Sequence, residues 1–352
     1  MYNNKIQLSS SGIIPPFLLE YVVKDCDQID KDYILKTLTH VYRLMNTSLE
    51  VDASMPNYQP GVHDHLYRMV YSAESREEYP GSVLVLREEM SKSKDEMANE
   101  AYDHLGKIYD FYKKIFNRNS IDNGGLNLVA TVHYQKNYMN AFWDDNQMVF
   151  GDGYQPYFNR FTSCIDITAH ELTHGVTESE ANLDYAYQSG ALNESISDVF
   201  GIMVKQYVHN QKSTESDWLI GQGLLGPALN PNNDPNIALR SLKDPGKANI
   251  QDNQVGHMDQ YTDLPFKNDN GGVHKYSGIP SKAFYLLATE LGGYAWEKAG
   301  KIWYNTLLDN RLYHKSDFND FAKLTVDNAE KLFDKQISDI VTRSWNQVGL
   351  LI

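Results

Sequence analysis

His170-Glu171-Leu172-Thr173-His174 sets two imidazoles one helical turn apart, with a carboxylate beside the first. On a helix, residues i and i+4 share a face, so both rings can reach one ion, and neutral imidazole is a common zinc ligand. With three defined positions, such a pentapeptide arises by chance in roughly a few per cent of chains this long, so other residues have to complete the centre. Asn193-Glu194-Ser195-Ile196-Ser197-Asp198 offers them, since Glu194 and Asp198 are again i and i+4. Glu194 can be the third ligand and Asp198 the acceptor that fixes a ligand histidine's tautomer. Three protein ligands on a tetrahedral ion leave one position for water, which separates a catalytic zinc from a structural one. The pattern predicts metal-assisted hydrolysis.

Composition narrows the setting. A chain of 352 residues exceeds the usual size of one core, so two large lobes and a smaller appendage are expected. A mean hydropathy of -0.51 and the lack of any run of 18 apolar residues fit a globular chain that does not span a membrane. The formal charge of -14 argues against nucleic acid and anionic membrane as partners, because both need basic patches. Two cysteines, Cys26 and Cys164, make no disulfide framework; free thiols are expected, with a Cys26–Cys164 contact as the alternative. The start, Met1-Tyr2-Asn3-Asn4-Lys5, has neither a basic n-region nor a long apolar h-region, so no Sec-type signal is visible. Export by another route and a cytoplasmic location both stay open.

The texture changes along the chain. Residues up to about 45 carry a small amphipathic unit, Ile13-Ile14-Pro15-Pro16-Phe17-Leu18-Leu19 followed by Tyr33-Ile34-Leu35-Lys36-Thr37-Leu38. The stretch after Asn46 is poor in aliphatics and holds Pro56 and Pro60, as an exposed, cleavable linker would. Strand-like runs follow at Leu66–Tyr71, Ser82–Leu86, Leu126–Val132 and around Asn140–Val149. Between them, Ala101, Leu105, Ile108, Tyr112 and Ile115 predict a helix over about 94–116. Ser163 and Asp166 suggest a capping box ahead of His170, and the chain beyond Tyr185 reads as mainly helical. The expected fold is α+β: a strand-rich lobe over 66–180 ending in the His170 helix, and a helical lobe over 181–352, preceded by a segment over 1–50 with its linker at about 46–65.

Ala169-His170-Glu171-Leu172-Thr173-His174, Ser189-Gly190-Ala191-Leu192-Asn193-Glu194-Ser195-Ile196-Ser197-Asp198 and Asp269-Asn270-Gly271-Gly272-Val273-His274 resemble, in content and order, the signatures of thermolysin-type zinc metallopeptidases. The resemblance covers roughly residues 66–352. The leading Ile14-Pro15-Pro16-Phe17-Leu18-Leu19 is similar to precursors of the protealysin branch, which carry a short prosegment. The resemblance implies one catalytic zinc on His170, His174 and Glu194, with Glu171 as the general base toward the metal-held water. It implies His274 and Tyr185 as oxyanion donors, with Asp269 orienting His274. It implies Asn140 and Ala141 as the edge that pairs with substrate backbone, and Arg240 as the partner of a substrate carbonyl. Phe161, Ile167, Leu224 and Leu239 would line an apolar pocket for a bulky residue after the scissile bond. Substrates would be proteins or peptides, the prosegment an intramolecular inhibitor, and the enzyme a monomer.

One departure concerns calcium. Where family members hold two calcium ions, this chain has Asp166, Lys205, Asp217 and Gln222, too little negative charge for two hard cations. The expectation is that Lys205 pairs with both Asp166 and Asp217 in place of the ions. Other readings of the whole chain are an inactive binding protein that keeps this fold, and an aminopeptidase. Cys26 as a latent fourth metal ligand is a further alternative.

Overall fold

The computed structural model describes residues 12–24, 26–46 and 65–352, so the expected linker lies almost entirely outside the described residues. The leading unit is two helices, α1 (Pro16–Val22) and α2 (Gln28–Asn46), packed on each other. Pro15 is extended (φ -68°, ψ 149°) and Pro16 opens α1, where its fixed φ suits the first turn and its missing N–H costs nothing.

A five-stranded sheet follows, from β1 (Arg68–Ser72), β2 (Val83–Arg87), β3 (Leu128–Val132), β4 (Ala141–Asp144) and β5 (Gln147–Phe150), in the order β2-β1-β3-β5-β4. β3 runs parallel to both neighbours and is buried throughout, which suits Leu-Val-Ala-Thr-Val. β4 turns back antiparallel on β5 and forms an edge, whose outer side at Ala141 is met by Ile13 of the leading segment. Helix α3 (Glu96–Phe116) lies against this sheet through Ala101, Leu105, Ile108 and Tyr112. Asp95 caps its start by accepting from Ala98 N at 3.2 Å.

Two helices run through the middle, α4 (Ile165–Ser179) and α5 (Tyr187–Val208), and nearly every residue of both is buried. They pack closely because position 201 is glycine: a Cβ there would stand 2.7 Å from the Asp166 carbonyl. The expected capping box is not formed. Ser163 sits in a preceding 3-10 turn and donates to Arg160 O, while Cys164 precedes α4 without a side-chain cap. The Asp166 carboxylate instead accepts from Ile167 N and Gly221 N, both at 3.0 Å.

Beyond α5 comes a two-stranded ladder, β6 (Leu219–Ile220) with β7 (Arg240–Ser241). Five helices complete the chain: α6 (Asp269–Tyr276), α7 (Gly278–Leu291), α8 (Ala299–Leu307), α9 (Phe318–Leu332) and α10 (Lys335–Gln347). Trp303 and Trp345 stack at 5.8 Å and help join α8 to α10. One contiguous core includes Ile13, Ile14, Leu18 and Leu19 of the leading segment together with Val132, Ile167, Ile196 and Trp303. Among the described residues, no helix is long and apolar enough to cross a membrane.

Candidate metal centre and active site

α4 presents His170 and His174 on one face, and α5 presents Glu194 to them. His170 Nε2 and His174 Nε2 are 3.0 Å apart, and the Glu194 oxygens lie 3.5 Å and 3.4 Å from them. Each Nδ1 faces an acceptor: Asp198 Oδ1 at 2.8 Å for His170, Asn193 Oδ1 at 2.8 Å for His174, with Ser197 Oγ also 3.1 Å from the latter. A proton on each Nδ1 leaves two Nε2 lone pairs facing one another beside a carboxylate. One cation between them satisfies all three, so the donor set fits zinc. Burial lowers both imidazole pKa values to about 4, which keeps them neutral and ready to ligate.

Glu171 is buried, and the amides of Trp143 and Ile13 approach its oxygens without reaching ordinary hydrogen-bond geometry; Glu194 Oε2 is likewise without a hydrogen bond. Burial first, and the charge of Glu194 second, raise the Glu171 carboxyl well above its ordinary range, while the amides of Trp143 and Ile13 offset part of this. Orphaned buried carboxylate oxygens are costly unless something positive or hydrogen-bonding occupies the space before them.

On the other side stand Tyr185 and His274. The Tyr185 hydroxyl donates to Glu194 Oε1 and lies 3.4 Å from His274 Nε2. α6 begins with left-handed residues at Asn270, Gly271 and Gly272, and this turn brings the Asp269 carboxylate back onto His274 Nδ1 at 2.6 Å and His274 N at 2.9 Å. Burial works against a charged His274, but Asp269 and Glu194 outweigh it and push its pKa up to about 9. Arg240 holds Asp198 with two 2.8 Å bonds, from Nε and Nη2. Despite its burial, Asp198 is therefore held well below the usual carboxylate range by Arg240 and His170. Ile167, Leu224 and Leu239 converge around Gly221, and buried Phe161 stacks on Phe158.

The sequence matches the family described as thermolysin metallopeptidase, catalytic domain, over residues 28–178, and its alpha-helical domain over 181–350. The chain belongs to the thermolysin-family metallopeptidases. It is 47% identical to Protease PrtS of Photorhabdus sp. (strain Az29) over 348 residues, 97% of this chain and 92% of that protein. It is 45% identical to an extracellular metalloprotease of Pectobacterium carotovorum subsp. carotovorum, covering 96% of each. Among solved structures it resembles the precursor of protealysin from Serratia proteamaculans, with a TM-score of 0.85, 45% identity, and coverage of 96% of this chain and 99% of that one.

In this metallopeptidase the leading segment lies against Asn140, Ala141 and Arg240. Ile13 N donates to Ala141 O at 3.0 Å and Ile14 N to Asn140 Oδ1 at 2.8 Å. Asn140 Nδ2 returns a bond to Ile14 O at 3.3 Å, and Arg240 Nη1 donates to Ile13 O at 3.0 Å. Sequence reasoning missed Gly12, Asn193 and Ser197. For Asn193 and Ser197 the available signal was their i, i+4 spacing on α5 directly beside Glu194 and Asp198.

The expectation for Lys205 needs correction. Its ammonium binds both Asp217 oxygens, at 3.0 Å and 3.1 Å, and Leu219 O at 2.9 Å. Asp166 feels Lys205 only through space, because backbone amides take up its oxygens. Gln222 turns outward to Pro235 O. Both thiols are free, and Cys26 Sγ bonds Val23 O, so the metal cluster found among the described residues contains no cysteine.

Proposed function

We propose that this metallopeptidase is an endopeptidase that cuts before bulky hydrophobic residues and is held latent by its leading segment. The observation that carries the reading is the buried Glu171 carboxylate, without an ordinary hydrogen bond, beside the convergent His170, His174 and Glu194. Zinc held by those three residues would supply a Lewis acid that makes a water acidic near neutral pH. Glu171 is the group positioned to take that water's proton and deliver it to the leaving nitrogen. His274 and Tyr185 donate to the oxyanion that develops on the scissile carbonyl, and Asp269 keeps His274 charged and oriented. Arg240 and Asn140 hold backbone on the leaving-group side, and Ala141 pairs as an edge strand. Ile167, Leu224, Leu239 and Phe161 make the side-chain pocket apolar, which favours Leu, Ile or Phe there.

The leading segment supports latency because it already occupies Asn140, Ala141 and Arg240. Lys205 neutralises Asp217, so we propose a single zinc and no double calcium site. Incubation with zinc should produce casein hydrolysis that chelators and Glu171→Ala abolish. Peptides with blocked N-termini should be cut as readily as free ones. Casein hydrolysis surviving in Glu171→Ala would refute the assigned base.

A further inference from the structure

The leading segment does more than cover the cleft: it lies there in one register. Every backbone-binding group of the proposed site has its partner in three consecutive residues. The carbonyl facing His274 is that of Gly12, with O and Nε2 3.3 Å apart. The next carbonyl, of Ile13, meets Arg240, and the next, of Ile14, meets Asn140. The amide of Ile13 bonds Ala141 O, and that amide is close enough to Glu171 to influence its carboxyl. Among the described residues, only the Gly12–Ile13 bond has its carbonyl at the oxyanion donor and its nitrogen at the edge strand beside the proposed base. Ile13 is a buried aliphatic residue, as the apolar pocket requires of a residue following a cut.

Glycine is needed at position 12. Its φ is +89°, and a Cβ would stand 2.4 Å from Ala141 O and 2.8 Å from Asn140 Nδ2. On the other side, Pro15 and Pro16 lack N–H groups, so strand pairing ends and α1 carries the chain away. The rest of the segment is anchored at distant points. Asp30 accepts from Tyr154 at 2.6 Å and Tyr157 at 2.9 Å, and His40 Nδ1 is 2.7 Å from the Tyr138 hydroxyl.

Building on the peptidase function proposed above, we infer that Gly12–Ile13 is an internal cleavage site, cut by the same molecule, and that the segment beginning at Ile13 stays seated as a product-like inhibitor. Water oxygen bonds to the Gly12 carbonyl carbon and the carbon–nitrogen bond to Ile13 breaks. Glu171 carries the first water proton to the Ile13 nitrogen and the second follows it from the new carboxyl group, giving a Gly12 carboxylate and an Ile13 ammonium with no oxidant or reductant. That ammonium faces Ala141 O and the Glu171 carboxylate, which retains it.

The test uses the full chain, purified with chelator and then given zinc, followed by denaturing mass spectrometry and gel filtration. The expected result is a new N-terminus at Ile13, formed at a rate independent of protein concentration. It should be absent in Glu171→Gln, abolished in Ile13→Asp, kept in Ile13→Leu, and accompanied by co-elution of the Ile13-started segment. In the chelated, zinc-free chain the Ile13 and Ile14 amides should exchange with solvent deuterium at least ~100-fold more slowly than in an unfolded peptide. Casein hydrolysis with Gly12–Ile13 intact would overturn the inference and leave the peptidase reading standing; absence of both would overturn the two together. A rate proportional to concentration, or unprotected Ile13 and Ile14 amides, would also overturn the register argued here.

Discussion

Asp198 serves two groups through one carboxylate. Oδ1 orients His170 through Nδ1, and both oxygens hold the guanidinium of Arg240. Replacing it by Asn keeps the shape but removes the charge that a buried Arg240 needs. Asp198→Asn is therefore expected to weaken zinc affinity about 10- to 100-fold, read by chelator competition. It should also lower stability by about 3 kcal/mol in urea denaturation, because a guanidinium is left buried without its counter-ion. Unchanged zinc affinity would show that the tautomer of His170 is fixed by something else. His274 gives the complementary case, since it faces the proposed oxyanion position and, though 3.6 Å from Glu194 Oε2, is not one of the three clustered residues. His274→Ala should reduce kcat/KM of the activated enzyme about 100- to 1000-fold while zinc content stays at wild-type level. A loss of zinc in that variant would instead make His274 part of the binding site.

At the scale of elements, the proposed lack of a double calcium site rests on an ion pair between α5 and the ladder beyond it. Lys205 projects from α5 onto Asp217 and Leu219 O; its side chain is 11% exposed and that of Asp217 33%, so solvent screens the pair in part. Wild-type melting temperature is expected to be insensitive to millimolar calcium or to a calcium chelator. Lys205→Glu should cost about 3 kcal/mol without calcium, by placing a carboxylate against Asp217, and recover part of that when calcium is added. A wild-type protein that loses stability on calcium removal would overturn the ion-pair account. This region also marks how far the sequence was legible. The helix α3 and the ligand pair on α4 could be read because periodicity records which residues share a face, and Ala101, Leu105, Ile108 and Tyr112 are buried together. That Lys205 would choose Asp217 over Asp166 depends on where two backbone amides fall after folding, which no spacing encodes. The Ser163 cap failed for a similar local reason: a 3-10 turn had already taken its hydroxyl. Gly12 carried no motif, because its role comes from an approach to Ala141 across 129 positions.

For the whole molecule, the proposed latency rests on a leading segment that shares one core with the catalytic lobes, so its release would be a partial unfolding that can carry its own pH dependence. His40 of α2 is a titrating group inside that interface, away from His274 and Glu171 at the Gly12–Ile13 end. Its ring lies among Tyr134, Tyr138 and Phe142, with Nδ1 2.7 Å and Nε2 3.3 Å from two tyrosine hydroxyls. Burial first, and then Arg43, lower its pKa to about 4; Lys36 acts in the same sense and Glu77 against it. A released His40 would titrate near ~6.5. Between these values the released segment binds a proton that the docked one does not, so docking is undiminished above pH ~6.5 and weakens as pH falls toward 4. The weakening can reach about tenfold per pH unit in that window. A groove lined by His40, Thr39, Arg43, Glu77 and Gln135 gives water a route to the ring. After the linker is opened, segment release followed by gel filtration should thus rise from pH 7 to pH 5 in the wild type. His40→Phe should lose most of this pH dependence, since a phenyl ring fits among the aromatic neighbours and carries no proton. It should also release the segment more readily at pH 7, because the Tyr138 hydroxyl loses its buried partner. The activated enzyme should keep its kcat/KM, as His40 departs with the segment. Equal pH dependence of release in both proteins would assign the effect to the catalytic lobes rather than to His40.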